Sequence, residues 1–353
     1  MSQSPTPNIA YLDGWRGLAI VAVLIGHFIL RPHFAWMGSF GVQLFFALSG
    51  YLMANLLFIK KVSMPDFFAR RFARVIPTFV LFVTAMYVFA AVSQPIKYAV
   101  PAYELLSTLA FLRTYLPPGE SIWAAHWYIG HIWSLNVEEH SYIYLAAGAV
   151  LTRGQYALNA ARLFLIASVV IIISFCLYYP SSPPEGASPW FTRSECAALG
   201  LVAAAAIRVL RHATRVHIFE KVPRLLPVLW VVLACACIST YRHRGGAFII
   251  APLCLALAIN YLDCVPELVK RILAHRILTW FGKCSFSIYL WQQPFFESAI
   301  EGRINPLLAC LMAIGAGAVS YYAFENPVRL KINGAWANRR ARGAALNTAD
   351  RPA

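Results

Sequence analysis

Apolar runs of about 20 residues, the length that crosses a bilayer as a helix, recur along nearly the whole chain and alternate with short polar segments. This pattern predicts an all-α, polytopic membrane helix bundle of about ten transmembrane helices. The predicted spans are residues 14–31, 38–59, 75–93, 132–151, 161–179, 195–210, 225–241, 246–262, 278–298 and 305–324. The apolar segment 103–116 is too short to cross, and we expect it at the interface or re-entering the membrane.

Lys and Arg residues concentrate in every second segment between the predicted spans. If the N-terminus is cytoplasmic, most of these cations lie on the inner side, as the positive-inside rule requires. We therefore expect both termini in the cytoplasm and one transmembrane domain over residues 1–330. Residues 331–353 are polar and rich in Arg and Ala, which predicts a disordered, basic cytoplasmic tail.

The composition supports a membrane protein. The 353 residues are 59% hydrophobic and 13% charged, against about 45–50% and about 25% in soluble domains, so a disordered chain and most soluble enzymes are excluded. The net charge is +15, which in a membrane protein indicates loops held against anionic lipid, so we expect lipid contacts and no nucleic acid. The eight cysteines show no zinc spacing, and no metal is expected.

Polar residues within the first predicted span mark a candidate site, because a charged group there costs about 2.5–3.5 kcal/mol. Arg16 and His27 project from one helical face and lie about 16 Å apart along the axis. Asp13 is one turn before Arg16 and is predicted to pair with it. The alternative for His27 is a buried imidazole that only bonds a neighbouring helix.

The second and third spans contribute two further motifs. Ser49 and Gly50 interrupt an apolar helix, where a small-residue packing contact is the alternative to a functional role. Arg71 and Arg74 share a helical face in a short inner segment, which suits bidentate phosphate binding. Attraction to lipid headgroups explains the same arginines equally well.

Carboxylates and hydroxyls mark the fourth and ninth spans. Glu138 and Glu139, followed by His140, begin an apolar helix on the predicted outer side, and this set resembles general acid–base equipment. A water-exposed helix cap is the alternative. In the ninth span a polar stripe follows helical spacing, formed by Ser285, Tyr289 and Gln292.

Together these motifs resemble the membrane acyltransferase family 3, which includes O-antigen, exopolysaccharide and Nod-factor acetylases. From residue 11 to 330 they occur in family order: Asp13-x-x-Arg16 with His27, FFALSGYL, RRFARVIP, WSLNVEEHSY, FGKCSFSIYLW and FENP. The resemblance implies a multi-pass enzyme of the bacterial inner membrane, expected here as a stand-alone membrane module. It implies transfer of an acyl group, expected to be acetyl, from cytoplasmic acyl-CoA to a hydroxyl of a carbohydrate or glycolipid.

The resemblance also assigns roles to residues. It makes His27 and Glu138 the candidate catalytic residues and Arg16, Arg71 and Arg74 the acyl-CoA-binding ones. The residues expected to support them are Asp13, Ser49, Gly50, Trp133, Ser134, Ser285, Tyr289 and Gln292. One departure stands out, because family members often carry His where this chain has Gln292, and Gln cannot exchange a proton.

Acyl transfer from a thioester to an alcohol needs a base, a donor to the oxyanion and an anchor for the CoA phosphates. His27 is the expected base, since the ordinary pKa of histidine is about 6.5, and Glu138 is expected to orient its imidazole. The resemblance implies acetyl-CoA as the donor substrate, and no permanently bound cofactor is expected. A covalent acyl group on His27 or Ser49 stays open.

Two other classes of function fit the same residues. A transporter or flippase of a lipid-linked sugar would use His27 and Glu138 as proton-relay groups. A non-catalytic membrane subunit would use its arginines only to hold lipid. Turnover of acyl-CoA distinguishes the enzyme from both.

Overall fold

The computed structural model describes residues 10–29, 33–93, 102–116, 122, 128–152, 157–178, 193–213, 222–239 and 245–349. These residues form helices joined by turns, with no strand among them. The helices are α1 (Ala10–Ile29), α2 (Trp36–Ile59), α3 (Met64–Ser93), α4 (Ala102–Leu109), α5 (Trp133–Leu151), α6 (Ala157–Tyr178), α7 (Ser194–Ala197), α8 (Leu199–Ala213), α9 (Leu226–Ser239), α10 (Gly246–Asn260), α11 (Glu267–Leu273), α12 (Arg276–Ile300), α13 (Pro306–Ser320) and α14 (Asn326–Ala349).

Each of the ten predicted spans overlaps one of these helices. Among the described residues, five helices are long and apolar enough to cross a membrane: α1, α2, α3, α6 and the continuous helix that α13 begins. The helices α9 and α10 are apolar but shorter, and α5, α8 and α12 overlap the remaining predicted spans. The all-α polytopic fold predicted from the sequence is therefore confirmed.

Large apolar side chains cover the outer surface of the bundle. On α3 and α6, for example, Val88 is 56% exposed, Ile166 is 61% exposed and Leu177 is 70% exposed. Contiguous exposed apolar surface of this kind marks a membrane-contacting face. The polar side chains of the predicted site lie instead between the helices.

Glycine lets α1 pack directly on the backbone of α12. A Cβ atom on Gly282 would lie 1.9 Å from the carbonyl oxygen of Asp13, and one on Gly17 would lie 2.0 Å from that of Leu278. No side chain fits at such distances, so the two helices touch backbone to backbone. This contact fixes the axial register between α1, which carries Arg16 and His27, and α12, which carries the polar stripe.

The sequence predicts a disordered tail over residues 331–353, whereas the described part, residues 331–349, continues as α14; residues 350–353 lie outside the described residues. Trp336 Nε1 donates a hydrogen bond to Asp66 Oδ1 at 2.8 Å, and Arg340 contacts the other oxygen of that carboxylate. Ser63 Oγ also donates to Asp66, at 2.7 Å. The hydropathy pattern does not predict this helix, because α14 has no apolar stripe and polar contacts with the start of α3 hold it.

The segment predicted to lie at the interface forms α4 and a following turn. Its buried Arg113 pairs with Glu104 at 3.2 Å, and Tyr115 donates a hydrogen bond to Glu195 at 2.7 Å. Burial raises the pKa of Tyr115 to about 12, and the carboxylate of Glu195 adds to this shift. Tyr115 therefore stays protonated at neutral pH and fastens this segment to α7.

The positive-inside pattern yields a topology that labelling can check. With exposed Cys176 replaced by Ser, we expect Lys60→Cys to react with a membrane-impermeant maleimide only when the inner face is accessible. Arg303→Cys, at the other end of the bundle, should react in intact spheroplasts. Labelling of both variants from one side would contradict the predicted orientation.

Candidate active site

A cavity opens among α1, α2, α3, α5 and α12, with a volume of about 760 Å³ that includes its open mouth. Its wall combines apolar side chains, mainly from α2, with the polar side chains expected from the sequence. The polar residues it brings together are Arg16, Ser49, Arg71, Arg74, Ser134, Glu138, Ser285 and Tyr289. Residues far apart in the sequence thus form one polar site inside an apolar bundle.

Glu138 is at the centre of the hydrogen bonds in this cavity. Its Oε1 atom accepts a hydrogen bond from Ser49 Oγ at 2.5 Å and another from the hydroxyl of Tyr142. Nη2 of Arg71 lies 3.8 Å from the same oxygen. Ser49 and Tyr142 are both donors here, so the Glu138 carboxylate is their common acceptor at the wall of the cavity.

Arg71 is held by the neighbouring carboxylate. Its Nε and Nη2 atoms donate to Glu139 Oε1 at 3.1 and 2.6 Å, and its guanidinium lies 3.7 Å from the centre of the Tyr142 ring. The sequence placed the carboxylates on the outer side and Arg71 on the inner side. They meet because α3 begins at Met64, so Arg71 already lies about 10 Å along that helix.

Two other arginines lie at the same cavity. Arg16 pairs with Asp13 at 2.9 Å, which confirms the predicted pair. Arg74 makes no hydrogen bond or ion pair with the residues that the structure describes. Arg74 interacts electrostatically with Glu325 without forming an ion pair, and it lines the cavity.

Hydroxyl groups of α5 and α12 contact each other in another part of the cavity wall. Ser134 Oγ lies 2.7 Å from the hydroxyl of Tyr289, and that hydroxyl donates to the carbonyl oxygen of His131 at 2.9 Å. Ser285, one turn before Tyr289, donates to the carbonyl oxygen of Gly282 at 2.9 Å. Its hydroxyl is thus bound to its own helix.

His27 lies apart from the residues that line the cavity. Its Nδ1 atom is 2.9 Å from Gln292 Oε1, and its ring stacks on Phe296 with the centroids 4.2 Å apart. We expected Glu138 to orient this imidazole. The structure places Gln292 at Nδ1, whereas the carboxylate of Glu138 binds Ser49 and Tyr142.

Comparison with known proteins identifies the family of the chain. The model of the acyltransferase domain family matches residues 9–325. The chain belongs to that family. No solved structure matches it.

Curated relatives of this acyltransferase-family chain include enzymes named for O-acetylation. It is 26% identical to the peptidoglycan O-acetyltransferase OatA of Listeria monocytogenes, over 90% of this chain and 55% of that protein. It is 24% identical to the putative peptidoglycan O-acetyltransferase YrhL of Bacillus subtilis, over 90% and 54%. For the O-acetyltransferase OatA of Staphylococcus aureus the identity is 23%, over 91% and 57%. The chain spans about half the length of these relatives.

Gly50 and Trp133, which the sequence analysis expected to support the site, lie behind the residues that line the cavity. A Cβ atom on Gly50 would lie 1.9 Å from the carbonyl oxygen of Leu201, so this glycine permits close packing of α2 on α8. Trp133 packs edge-on against the cavity residue Phe46, with centroids 6.1 Å apart. Neither contributes a polar atom to the cavity wall.

The sequence analysis did not single out Tyr142 and His131, and it named Glu139 without its role in holding Arg71. Tyr142 and Glu139 hold Glu138 and Arg71, as described above. His131 is 2% exposed and its ring centroid lies 5.3 Å from that of Tyr289. Neither of its ring nitrogens makes a hydrogen bond with described residues, although the Leu290 carbonyl approaches the ring.

The described part of the chain contains no group of three or more His, Cys, Asp or Glu residues suited to a metal ion.

Proposed function

We propose that this protein is an integral membrane O-acyltransferase of the bacterial inner membrane. It takes an acyl group, expected to be acetyl, from cytoplasmic acyl-CoA and transfers it to a hydroxyl of a carbohydrate or glycoconjugate. The observation that carries the proposal is the single cavity in which arginines and a hydroxyl–carboxylate cluster meet. The names of the peptidoglycan O-acetyltransferases among its relatives support a carbohydrate acceptor.

The arginines of the cavity divide into different roles. Glu139 already neutralises Arg71, so we assign Arg71 to holding the carboxylates in place. Arg74 makes no ion pair within 4 Å among the described residues, although the buried carboxylate of Glu325 is close enough to interact with it, and we assign Arg74 together with Arg16 as the anchor for the CoA phosphates. A guanidinium suits this role because it donates two parallel hydrogen bonds to one phosphate.

In the proposed mechanism the reaction centre lies between Arg74, on the side where acyl-CoA enters, and His27, on the side where the acceptor enters. In this mechanism the thioester reaches the cavity from the side of Arg74, and the acceptor hydroxyl comes from the side of His27. His27 takes the hydroxyl proton, the acceptor oxygen bonds to the acyl carbon, and the carbon–sulfur bond breaks. The proton then passes to the leaving thiolate. Ser134 and Tyr289 are the candidate donors to the developing oxyanion, and to act they turn their hydroxyls away from each other and from the His131 carbonyl.

The test uses the full chain in lipid nanodiscs with acetyl-CoA and a soluble oligosaccharide of N-acetylglucosamine. We expect release of free CoA thiol, together with acetyl esters on the oligosaccharide detected by mass spectrometry. A sugar flux that depends on pH, without any turnover of acetyl-CoA, would instead support the transporter. The absence of both, with lipid binding retained, would support a non-catalytic subunit.

Arg74→Ala is expected to weaken acetyl-CoA binding by about 10–100-fold, because a hydrogen bond to a charged group contributes about 1.5–3 kcal/mol. Arg74→Lys should recover part of the affinity, since a point charge lacks the two-pronged geometry. The matched control is Arg70→Ala, on the same helix but in the groove against α14. Calorimetric titration measures all three. Equal affinities for Arg74→Ala and the parent would show that Arg74 only attracts lipid.

A further inference from the structure

A second cavity adjoins the first along α2. Its volume is about 400 Å³, including its opening, within the range of about 300–1,000 Å³ that is typical of small-molecule sites. Val42 and Phe46 line both cavities, so the two share part of their wall. The lining of the second cavity also includes Ser39, Gln43, Trp133 and Phe248.

Gln43 gives this cavity a buried hydrogen-bond acceptor. Its side chain is only 8% exposed, and Nε2 donates to the carbonyl oxygen of Ala247 at 3.0 Å. Because a backbone carbonyl only accepts hydrogen bonds, this contact fixes which way the amide is turned. The Oε1 atom makes no hydrogen bond with the described residues. A buried acceptor without a donor costs about 1–3 kcal/mol, so this position suits a ligand that donates from a hydroxyl.

The two cavities differ in charge. Three arginines and Glu138 line the first one, whereas none of the described residues that line the second carries a charge. An ionised group that enters an uncharged, largely apolar site loses its hydration without gaining a partner. The first cavity therefore suits anionic acyl-CoA, and the second suits a neutral ligand. Trp133 and Phe248 add aromatic surface there, against which an apolar face of the ligand can pack.

The second cavity lies beside the proposed base. Gly38 is one turn before Val42 on α2, and a Cβ atom on Gly38 would lie 3.1 Å from Nε2 of His27. The imidazole therefore packs against the turn of α2 that precedes Val42. A ligand held against Val42 is close to both His27 and the cavity proposed for acyl-CoA, and acyl transfer requires this proximity.

We infer that the second cavity binds a neutral pyranose unit of the acceptor. Gln43 Oε1 accepts a hydrogen bond from one of its hydroxyls, and Trp133 packs against its apolar C–H face. An acidic sugar is disfavoured, because its carboxylate would find no cation among the described residues of this cavity. This inference rests on the proposed function, in which the acceptor is a carbohydrate, and it names the class of sugar.

Sugar binding can be measured without the reaction. The full chain in nanodiscs, with no acetyl-CoA present, is titrated with an oligosaccharide of N-acetylglucosamine and followed by saturation-transfer difference NMR. An oligogalacturonate of the same length is the acidic probe. We expect saturation transfer to the neutral sugar and at least tenfold less to the acidic one.

Two variants test the cavity by different chemistry. Gln43→Met keeps the length of the side chain and removes the amide, so the KM for the acceptor should rise about tenfold while acetyl-CoA affinity stays unchanged. Ala197→Leu fills the cavity from α7 and leaves the amide of Gln43 in place, so it should raise the same KM even if Gln43→Met folds poorly. The matched controls are Asn338→Leu and Ala213→Leu at exposed positions, which should leave the acceptor KM unchanged.

The outcomes separate this inference from the proposed function. Transfer by the parent, with an unchanged acceptor KM in both cavity variants, would overturn the sugar site and keep the enzyme; water alone would then satisfy Gln43. Equal binding of the two probes would overturn the assignment to a neutral sugar. Sugar binding that depends on Gln43 and Ala197, without acyl transfer by the parent, would leave the site standing and overturn the proposed function.

Discussion

His27→Ala should reduce acyl transfer by about 10²–10⁴-fold, which is the usual effect of removing a general base. Acetyl-CoA should still bind, because Arg16 lies about 16 Å away along α1. His27→Gln should be almost as inactive, since an amide can satisfy Gln292 but cannot take a proton. Transfer, acetyl-CoA affinity and melting temperature measured together on the three proteins check this expectation.

A structural histidine would behave differently in the same experiment. His27→Ala would then lower the melting temperature, and His27→Gln would recover most of the activity. Near-parental transfer by the Gln variant would exclude His27 as the base and transfer the role to Glu138. The control is His33→Ala, which removes an exposed histidine and should leave all three measurements unchanged.

Arg71→Ala should destabilise the protein by about 3–5 kcal/mol, because it leaves a buried carboxylate without its counter-ion. The side chains of Arg71 and Glu139 are only 13% and 16% exposed, and Nη2 lies 2.6 Å from Oε1. We therefore expect the main effect of Arg71→Ala to be a loss of folding stability and not a loss of acetyl-CoA affinity. Thermal unfolding in detergent, followed by tryptophan fluorescence, measures the loss.

A double variant separates the ion pair from other effects of Arg71. If the unpaired carboxylate causes the instability, Arg71→Ala with Glu139→Ala should be markedly more stable than Arg71→Ala alone. Equal stability of the single and double variants would show that the stacking of Arg71 on Tyr142 dominates instead. Arg74→Ala, with no ion pair to break, is the matched control and should keep the parental melting temperature.

Much of the fold could be predicted because the apolar runs are long and the bilayer fixes their length. Each predicted span overlaps a helix, and the pair of Asp13 and Arg16 needs only helical spacing. The helix α14 escaped prediction because its order depends on contacts with Asp66, which lies far away in the sequence. Hydropathy indicates which segments contact lipid, and it does not indicate polar contacts between residues that are far apart in the sequence.

The residue types of the site could be predicted from the sequence. Which of its side chains contact one another could be predicted less well. Spacing along single helices grouped Arg71 with Arg74 and Glu138 with Glu139. It could not show that α3 starts well before its apolar stretch, which is what brings Arg71 to Glu139. The partner of His27 likewise depends on the register between α1 and α12, which close glycine contacts set and hydropathy does not contain.

The backbone contact of α1 with α12 also bears on which acyl groups the cavity accommodates. Since Gly17 and Gly282 hold these helices at their closest separation, side-chain changes between them cannot widen that side. The opposite side is formed by side chains of α2, among them Phe45, Phe46 and Met53. If the cavity holds the acyl group as proposed, we expect its selectivity for short or long acyl chains to depend on these α2 side chains.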